Sequence, residues 1–421
     1  IRLEKIGEGM RKIIACLDIG SFSIKLVVGE ITKNKVNILA CAESPSQGIK
    51  KGYIVNPESA SIAIKDVFSK CENMLGLPIK SVLLCVPTDN LECFVSSASV
   101  NITNEDNVIT HDDITKAMQK SIYKKIDDNK ELVTILPTKF IINDDEVVSN
   151  PVKCVAGKLT VNVVAVVVPK INTDNIIKFL SKLNIKVLDI CIEPINDYYE
   201  FKRPEYAKSV GAVVNIGYSN LTVSIINKGI LTSSEIIDIA SSSIDKDIAY
   251  VFKELTTNYI KENFTCADIH MARPSESIVI KDINGDDRKI SEYEATNVAI
   301  SRLKELAGLI KKQINLLTKK EISYIIITGG VTNLPYFEHF IQDNFKDLAN
   351  YEVVKELGVR DNRYSNVVGA IKYYNSRLKL RNVEISIFDL EQQEELGGTS
   401  KKVNISENSL LGKIYGYFFD N

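Results

Sequence analysis

Apolar positions in the first part of the chain switch between two periods. Three short β-branched runs, KIIACLDIG, IKLVVGEI and KVNILACAES, are separated by turn residues and predict three successive strands of a meander. A helical period follows. In PESASIAIKDVFSKCENMLG the residues Ile62, Val67, Phe68, Cys71 and Leu75 recur at helical spacing, Pro57 stands near the first turn and Gly76 closes the segment. SVLLCVP then reads as a buried strand.

Residues 87–165 change character, with short strands around one helix opened by THDDITKAMQKSIYKKI. Thr110 with Asp113 three residues on resembles a capping box, and Ile114, Ala117, Met118 and Ile122 form the apolar face. This predicts an inserted subdomain. LTVNVVAVVVP, NIIKFLSKLNI and KVLDICIEP follow as strand, helix and strand, which predicts a parallel crossover. SVGAVVNIGYSNLTVSIINKGIL then repeats the strand-turn-strand outline of the N-terminal run, suggesting an internal duplication. Later come a long helix from Glu294 to Leu317, a buried strand YIIITGG and a closing segment YSNVVGAIKYY.

After Leu380 the periodicity decays. RNVEISIFDLEQQEELGGTSKKVN is polar and reads as a tether. SENSLLGKIYGYFFDN at the end predicts an amphipathic helix capped by Ser406, with Leu410, Leu411, Ile414 and Phe418 along one side and Tyr415, Tyr417 and Phe419 beside it. At the other end, the nine residues before Met10 lack any apolar period and are expected to be an upstream extension.

Composition narrows the function classes. With 421 residues, 45% of them hydrophobic, the chain can bury the cores of two or more domains, and the order of elements points to an α/β fold. A net charge of −2 with interspersed Lys and Glu lacks the basic stripe of a nucleic-acid binder. Eight scattered cysteines without a CxxC pair, beside three histidines, read as small buried hydrophobes in a reducing compartment. No apolar run reaches the roughly 18 residues of a membrane span.

Three segments carry candidate chemistry. In Asp18-Ile19-Gly20-Ser21-Phe22-Ser23-Ile24-Lys25 a tight hairpin offers backbone N–H groups and hydroxyls to a polyphosphate, Lys25 can neutralise it, and Asp18 can hold Mg2+ through water. Alone, this is equally an ordinary turn between strands. Asn215-Ile216-Gly217-Tyr218-Ser219-Asn220 is its twin, and two facing hairpins would form a clamp. Thr328-Gly329-Gly330, followed by Val331, ends a buried strand where glycines let backbone approach a flat ring.

DIG with a Lys seven residues after the Asp, a second IG hairpin near the middle and TGG near the end resemble the two phosphate motifs and the adenosine motif of the actin, Hsp70 and sugar-kinase superfamily. Within it, SQGIKKGYIVNPESASIAIKDVFSKCENMLG, the segment ILPTKFIINDDEVVSNPVKCVAGKLTVNVVAVVVP and the tethered terminal helix resemble the FtsA family of bacterial cell-division proteins. The resemblance covers residues 10–421. It implies an actin-like ATPase fold of two duplicated lobes with an inserted 1C subdomain and a C-terminal amphipathic helix. The implied boundaries are 1A at 10–86, 1C at 87–165, 1A again at 166–207, 2A at 208–243, 2B at 244–320, 2A again at 321–362, a return to 1A at 363–380, a flexible linker at 381–405 and a membrane-targeting helix at 406–421.

Carried over residue by residue, the resemblance places Asp18, Gly20, Ser21, Phe22, Ser23 and Lys25 at the first phosphate motif. Asn215, Gly217, Tyr218, Ser219 and Thr222 fall at the second, Gly329, Gly330 and Val331 at the adenosine motif, and Lys261 near the ribose. ATP and Mg2+ are the implied cofactors. Departures stand beside these matches. Asn215 replaces the family's Asp, Tyr218 and Ser219 replace a Gly run, Asn258 stands where a Glu is expected and Ser241 to Ser243 stand where Gly-Gly is expected. An Asn neither accepts a proton nor adds negative charge for a metal-bound water, so the sequence predicts nucleotide binding with weak or absent hydrolysis.

The resemblance also implies the rest of the expected function. The protein would assemble with itself and, through Leu410, Leu411, Ile414, Tyr415, Phe418 and Phe419, insert into inner-leaflet lipid. It would receive the acidic C-terminal peptide of the tubulin-like protein FtsZ on the long helix, where Arg302, Lys311 and Lys312 are candidates. It would thus sit on the cytoplasmic side of the membrane at the division septum. Two other readings are a PilM-like pilus-assembly scaffold, against which the terminal helix argues, and a small-molecule phosphotransferase, against which Asn215 argues.

Overall fold

The computed structural model describes residues 11–397 apart from 34, 254–256 and 282–284. The predicted meander is present: β1 (Lys12–Ile19), β2 (Ser23–Thr32) and β3 (Lys35–Pro45) pair antiparallel in succession. A short ribbon, β4 (Ile49–Lys50) with β5 (Tyr53–Ile54), leads into α1 (Pro57–Leu75). Asn56 Oδ1 caps α1 by accepting from the backbone N–H of Glu58 and of Ser59, and Gly76 ends it at φ +73°. The buried row is Ala60, Ile64, Val67, Cys71 and Leu75 with Ala63 and Phe68. Ile62 is 67% exposed, contrary to the expected face, because it lies two residues and thus about 200° around the helix from Ala60. β6 (Ser81–Cys85) then runs parallel to β1.

The insertion follows as β7 (Glu92–Asn101), α2 (His111–Ile122), β8 (Lys130–Ile142), β9 (Glu146–Val148) and β10 (Lys158–Pro169). Its strands form an antiparallel sheet in the order β7-β10-β8-β9. The Thr110–Asp113 capping box is present, and Ile114 and Ala117 share a small core with Leu159, Val161 and Val163. The long apolar run of β10 is apolar throughout because it serves two cores: Val161 and Val163 join the insertion, while Val164, Val166 and Val168 join the main core.

The expected parallel crossover takes a different path. With both edges of β10 occupied by β7 and β8, α3 (Ile171–Lys182) carries the chain to β11 (Lys186–Cys191), whose parallel partner is β6. The first sheet therefore reads β11-β6-β1-β2-β3.

From β11, α4 (Glu193–Phe201) crosses to the second half, which opens with the meander β12 (Val210–Ile216), β13 (Leu221–Asn227) and β14 (Ile230–Ile237). There follow α5 (Ser242–Phe252), α6 (Thr257–Asn263), the ribbon β15 (Ser277–Lys281) and β16 (Asp287–Ser291), and the long α7 (Glu292–Leu317). β17 (Tyr324–Thr328), α8 (Phe337–Phe345) and β18 (Ala349–Asn350) complete a sheet in the order β14-β13-β12-β17-β18. Strand alternation divides its residues. Ala212, Val214 and Ile216 join the core of α5, α7 and α8, and Val213 joins Tyr324 and Ile326 in a core continuous with the first sheet.

YSNVVGAIKYY proves to be part of a helix, α9 (Ser365–Arg381), which packs on the first sheet and against α4. A Cβ on Gly369 would lie 1.9 Å from the carbonyl oxygen of Asn196, so a glycine is required for α4 and α9 to approach this closely.

Residues 383–397, expected to be part of a tether, are docked on the first half. Ile387 donates its backbone N–H to the Ile13 carbonyl at 2.9 Å, Phe388 is buried, and the final α10 (Leu390–Gly397) holds Gln393, whose side chain bonds both backbone groups of Arg11. Two apolar anchors and one bidentate amide suffice to dock a segment whose composition is otherwise polar. The extension before Met10 and the terminal helix over 406–421 lie outside the described residues.

Candidate functional site

The two hairpins are built alike. β1 meets β2 with Asp18 opposite Lys25 and Ile19 opposite Ile24; β12 meets β13 with Asn215 opposite Thr222 and Ile216 opposite Leu221. In each, the glycine N–H closes the turn, Gly20 to the Ser23 carbonyl at 3.2 Å and Gly217 to the Asn220 carbonyl at 3.0 Å. A Cβ at either glycine would meet that same carbonyl oxygen within 3 Å. Behind each hairpin runs a parallel strand, so Cys85 stands beside Asp18 as Thr328 stands beside Asn215.

Thr328-Gly329-Gly330 enters the same space. Gly329 has φ +102°, and a Cβ there would lie 2.4 Å from the Ile216 carbonyl oxygen and 2.7 Å from Asn215 Oδ1. Gly330 faces the Arg363 side chain, which is ion-paired with Asp361 at 2.7 Å. All fifteen residues singled out as nucleotide contacts line one cleft of about 440 Å³ between the two halves, although three distant segments and Lys261 supply them.

The floor is made by the N-terminal turns of α4 and α9, which the sequence reading did not single out. Asn366 donates to Asp18 Oδ1 at 3.2 Å, holding the carboxylate whose other oxygen faces the Lys25 ammonium at 3.5 Å. Ser365 donates to Asp197 Oδ1 at 2.8 Å, and the Asn215 amide donates to Asp197 Oδ2 at 2.7 Å. A carboxyl group therefore stands directly behind Asn215, supplied by the next helix. Burial pushes Asp197 up to about 7, against the lowering effect of these two hydrogen bonds. Glu193, one turn earlier, lines the cleft itself. Burial raises it well above the usual carboxylate range, the nearby Asp197 adds to this, and its Oε1 is shut from solvent without a hydrogen-bond partner. The signal for both was present in KVLDICIEP: a Glu-Pro pair directly after a buried strand marks the first turn of a helix.

Two expected contacts are already engaged. Lys261 is buried and paired with Asp245 at 2.9 Å, with its ammonium 5.2 Å from the centre of the Tyr218 ring. Phe22 and Tyr218, one from each hairpin tip, bring their rings to 5.1 Å across the cleft. The bulk that replaces the expected Gly run thus makes an aromatic contact between the halves. Asn258 keeps a buried, unpartnered Oδ1, and the N–H groups of Ser241 and Ser242 bond the carbonyls of Gly217 and Tyr218, tying the start of α5 to the second hairpin.

Away from the cleft, Arg302 on α7 is bound by Asp247 through two hydrogen bonds, at 2.6 and 2.8 Å, and by Glu305, so its charge is compensated within the chain. Lys311 lies over the Phe345 ring and Lys312 is exposed. Leu410, Leu411, Ile414, Tyr415, Phe418 and Phe419 lie outside the described residues. Among the described residues no helix is long and apolar enough to cross a membrane.

Two sheets built on matching meanders, a cleft between them and paired glycine hairpins at its base define an actin-like protein. Solved structures agree on the fold. The chain superposes on a protein of the PilM-PilN type IV pilus biogenesis complex with a TM-score of 0.56 and 13% identity, over 88% of this chain and 99% of that one. It superposes on MreB5 of Spiroplasma citri bound to ADP with a TM-score of 0.54 and 14% identity, over 88% and 99%. At the sequence level, residues 89–167 match the family described as the SHS2 domain inserted in FTSA, and residues 212–369 match Cell division protein FtsA. The Cell division protein FtsA of Bacillus subtilis is 23% identical over 87% of this chain and 85% of its own length, and that of Staphylococcus epidermidis 25% identical over 90% and 82%. The chain belongs to the FtsA family of cell-division proteins.

Proposed function

We propose that the cleft binds ATP with Mg2+ and that nucleotide occupancy controls self-assembly of a membrane-bound tether for FtsZ filaments. The observation that carries the nucleotide reading is the convergence of the two matching hairpins and the Gly329 turn on one cleft. Its residues fit the group: Gly20 and Gly217 let the two hairpins turn tightly, Lys25 supplies a cation only 8% exposed, and Gly329 and Gly330 leave a flat wall beside Arg363. An MreB5 structure from Spiroplasma citri contains AMPPNP in the same fold, which supports the class of ligand.

Asn215 weakens hydrolysis without removing acid-base groups from the site. Glu193 lines the cleft, and burial favours its protonated form, which can donate a hydrogen bond, over the carboxylate that would take a proton. Slow turnover at most follows. Calorimetric titration of MgATP into the full chain should give one saturable site, abolished by Gly329→Val, whose side chain would collide with Ile216 and Asn215. A parent protein that binds nothing refutes the nucleotide reading.

The tether function rests on family membership and on the apolar pattern of residues 406–421. In this reading the insertion at 87–165 is the 1C subdomain, the lysines of α7 receive the acidic FtsZ peptide, and the protein acts on the cytoplasmic face of the membrane at the septum.

A further inference from the structure

Three of the eight cysteines, scattered in sequence, meet in space. Cys16 on β1, Cys85 on β6 and Cys191 on β11 sit on three adjacent strands of the first sheet. The sulfurs of Cys16 and Cys85 are 3.7 Å apart, those of Cys85 and Cys191 3.6 Å, and all three lie within 4.8 Å of one another. With zinc–sulfur bonds of about 2.3 Å, two sulfurs of a tetrahedral site stand about 3.8 Å apart. The side chains are thus already set at close to the spacing a bound cation demands.

The surroundings suit such a site. Asn196 Nδ2 lies 3.8 Å from Cys85 Sγ as a donor to it and is itself held by Asn366 Oδ1 at 2.7 Å. The Arg377 guanidinium pairs at 3.0 Å with Asp189, two residues before Cys191 on β11. Cys85 lines the cleft, which gives an entry path from solvent.

We propose that Cys16, Cys85 and Cys191 form a site for a thiophilic d10 cation of the Zn2+ class, reached through the floor of the cleft. Binding forms three metal–sulfur bonds and breaks the S–H bonds of Cys16 and Cys85, releasing two protons to solvent, while Cys191 enters as a thiolate, so that three thiolates and Zn2+ carry a net charge of −1. Burial pushes the Cys16 thiol well above its ordinary range, hydrogen bonding with Cys16 and Cys191 does the same for Cys85, and the hydrogen bonds from Cys16 and Cys85 bring Cys191 down to about 5. The protons must be displaced, so affinity rises with pH. The proposal is independent of whether the cleft holds nucleotide.

The test is titration of Cd2+ into the full chain, reduced with a phosphine, while following the ultraviolet thiolate-to-metal charge-transfer band. One equivalent should bind, more tightly at higher pH. Cys85→Ser should weaken binding by more than the roughly 10- to 100-fold typical of losing an outer hydrogen-bond partner. Cys71→Ser and Cys266→Ser, at buried cysteines elsewhere, should leave it unchanged. If Cys85→Ser fails to fold, the parent still decides: bound Cd2+ should shield Cys85 from a small thiol reagent while half-buried Cys93 reacts as before. No charge-transfer band in folded parent protein, a band that persists in folded Cys85→Ser, or equal labelling of Cys85 with and without Cd2+ would reduce the cluster to packed thiols.

Discussion

Asp197 is the residue on which the chemistry of the second hairpin turns. It is fully buried, receives one hydrogen bond from Asn215 and one from Ser365, and holds its proton up to about pH 7. An unfolded Asp releases its proton near pH 3.9. As pH rises, the unfolded state therefore ionises first, and this residue withdraws stability between about pH 4 and 7, with no further loss above. Asp197→Asn should consequently raise the melting temperature more at pH 8 than at pH 5. Equal shifts at both values would show that Asp197 is ionised in the folded protein throughout. The same pairing bears on Asn215→Asp, which would set two carboxyls within hydrogen-bond distance and should destabilise the protein by about 2–4 kcal/mol at pH 8, less at pH 5. The sequence showed Asn215 as a missing charge; it could not show that the neighbouring charge arrives from α4, because the packing of that helix against β12 is a tertiary contact with no local signal.

At the scale of elements, legibility followed the strength of the local signal. The meanders, α1, α2, α7 and the capping box at Thr110 were readable because period, cap and turn residues agree. Two features were not. The pairing of β11 with β6 depends on which strand edges the insertion leaves open, a non-local fact. The docking of residues 383–397 depends on Phe388 and Gln393 finding partners some 370 residues away in sequence. Gln393→Ala should remove the partner of both Arg11 backbone groups, at a cost of about 1–3 kcal/mol, and make this segment the first to be cut by protease. Unchanged cleavage kinetics would mean that α10 contributes nothing to holding the tail. The Ile62 correction makes a matched pair: Ile64→Ala should cost about 2–5 kcal/mol, and Ile62→Ala, at an exposed position, should stay within about 0.5 kcal/mol.

For the whole molecule, the two halves are joined by the continuous core around Val213 and Tyr324, by the Phe22–Tyr218 contact and by ion pairs between them such as Lys51 with Asp238 and Arg203 with Glu352. The proposed nucleotide would touch both hairpins and so couple the halves, which is how it would bear on assembly. The proposed anchoring is assigned to residues 406–421: their removal should abolish co-sedimentation with liposomes, and full co-sedimentation of the shortened chain would place the membrane contact elsewhere. The central claim is that three segments distant in sequence act as one nucleotide site. Hydrogen–deuterium exchange of the full chain with and without MgATP tests it most directly. The account predicts that protection appears together at residues 18–25, 215–222 and 328–331, and protection at one segment alone, or at none, would contradict it.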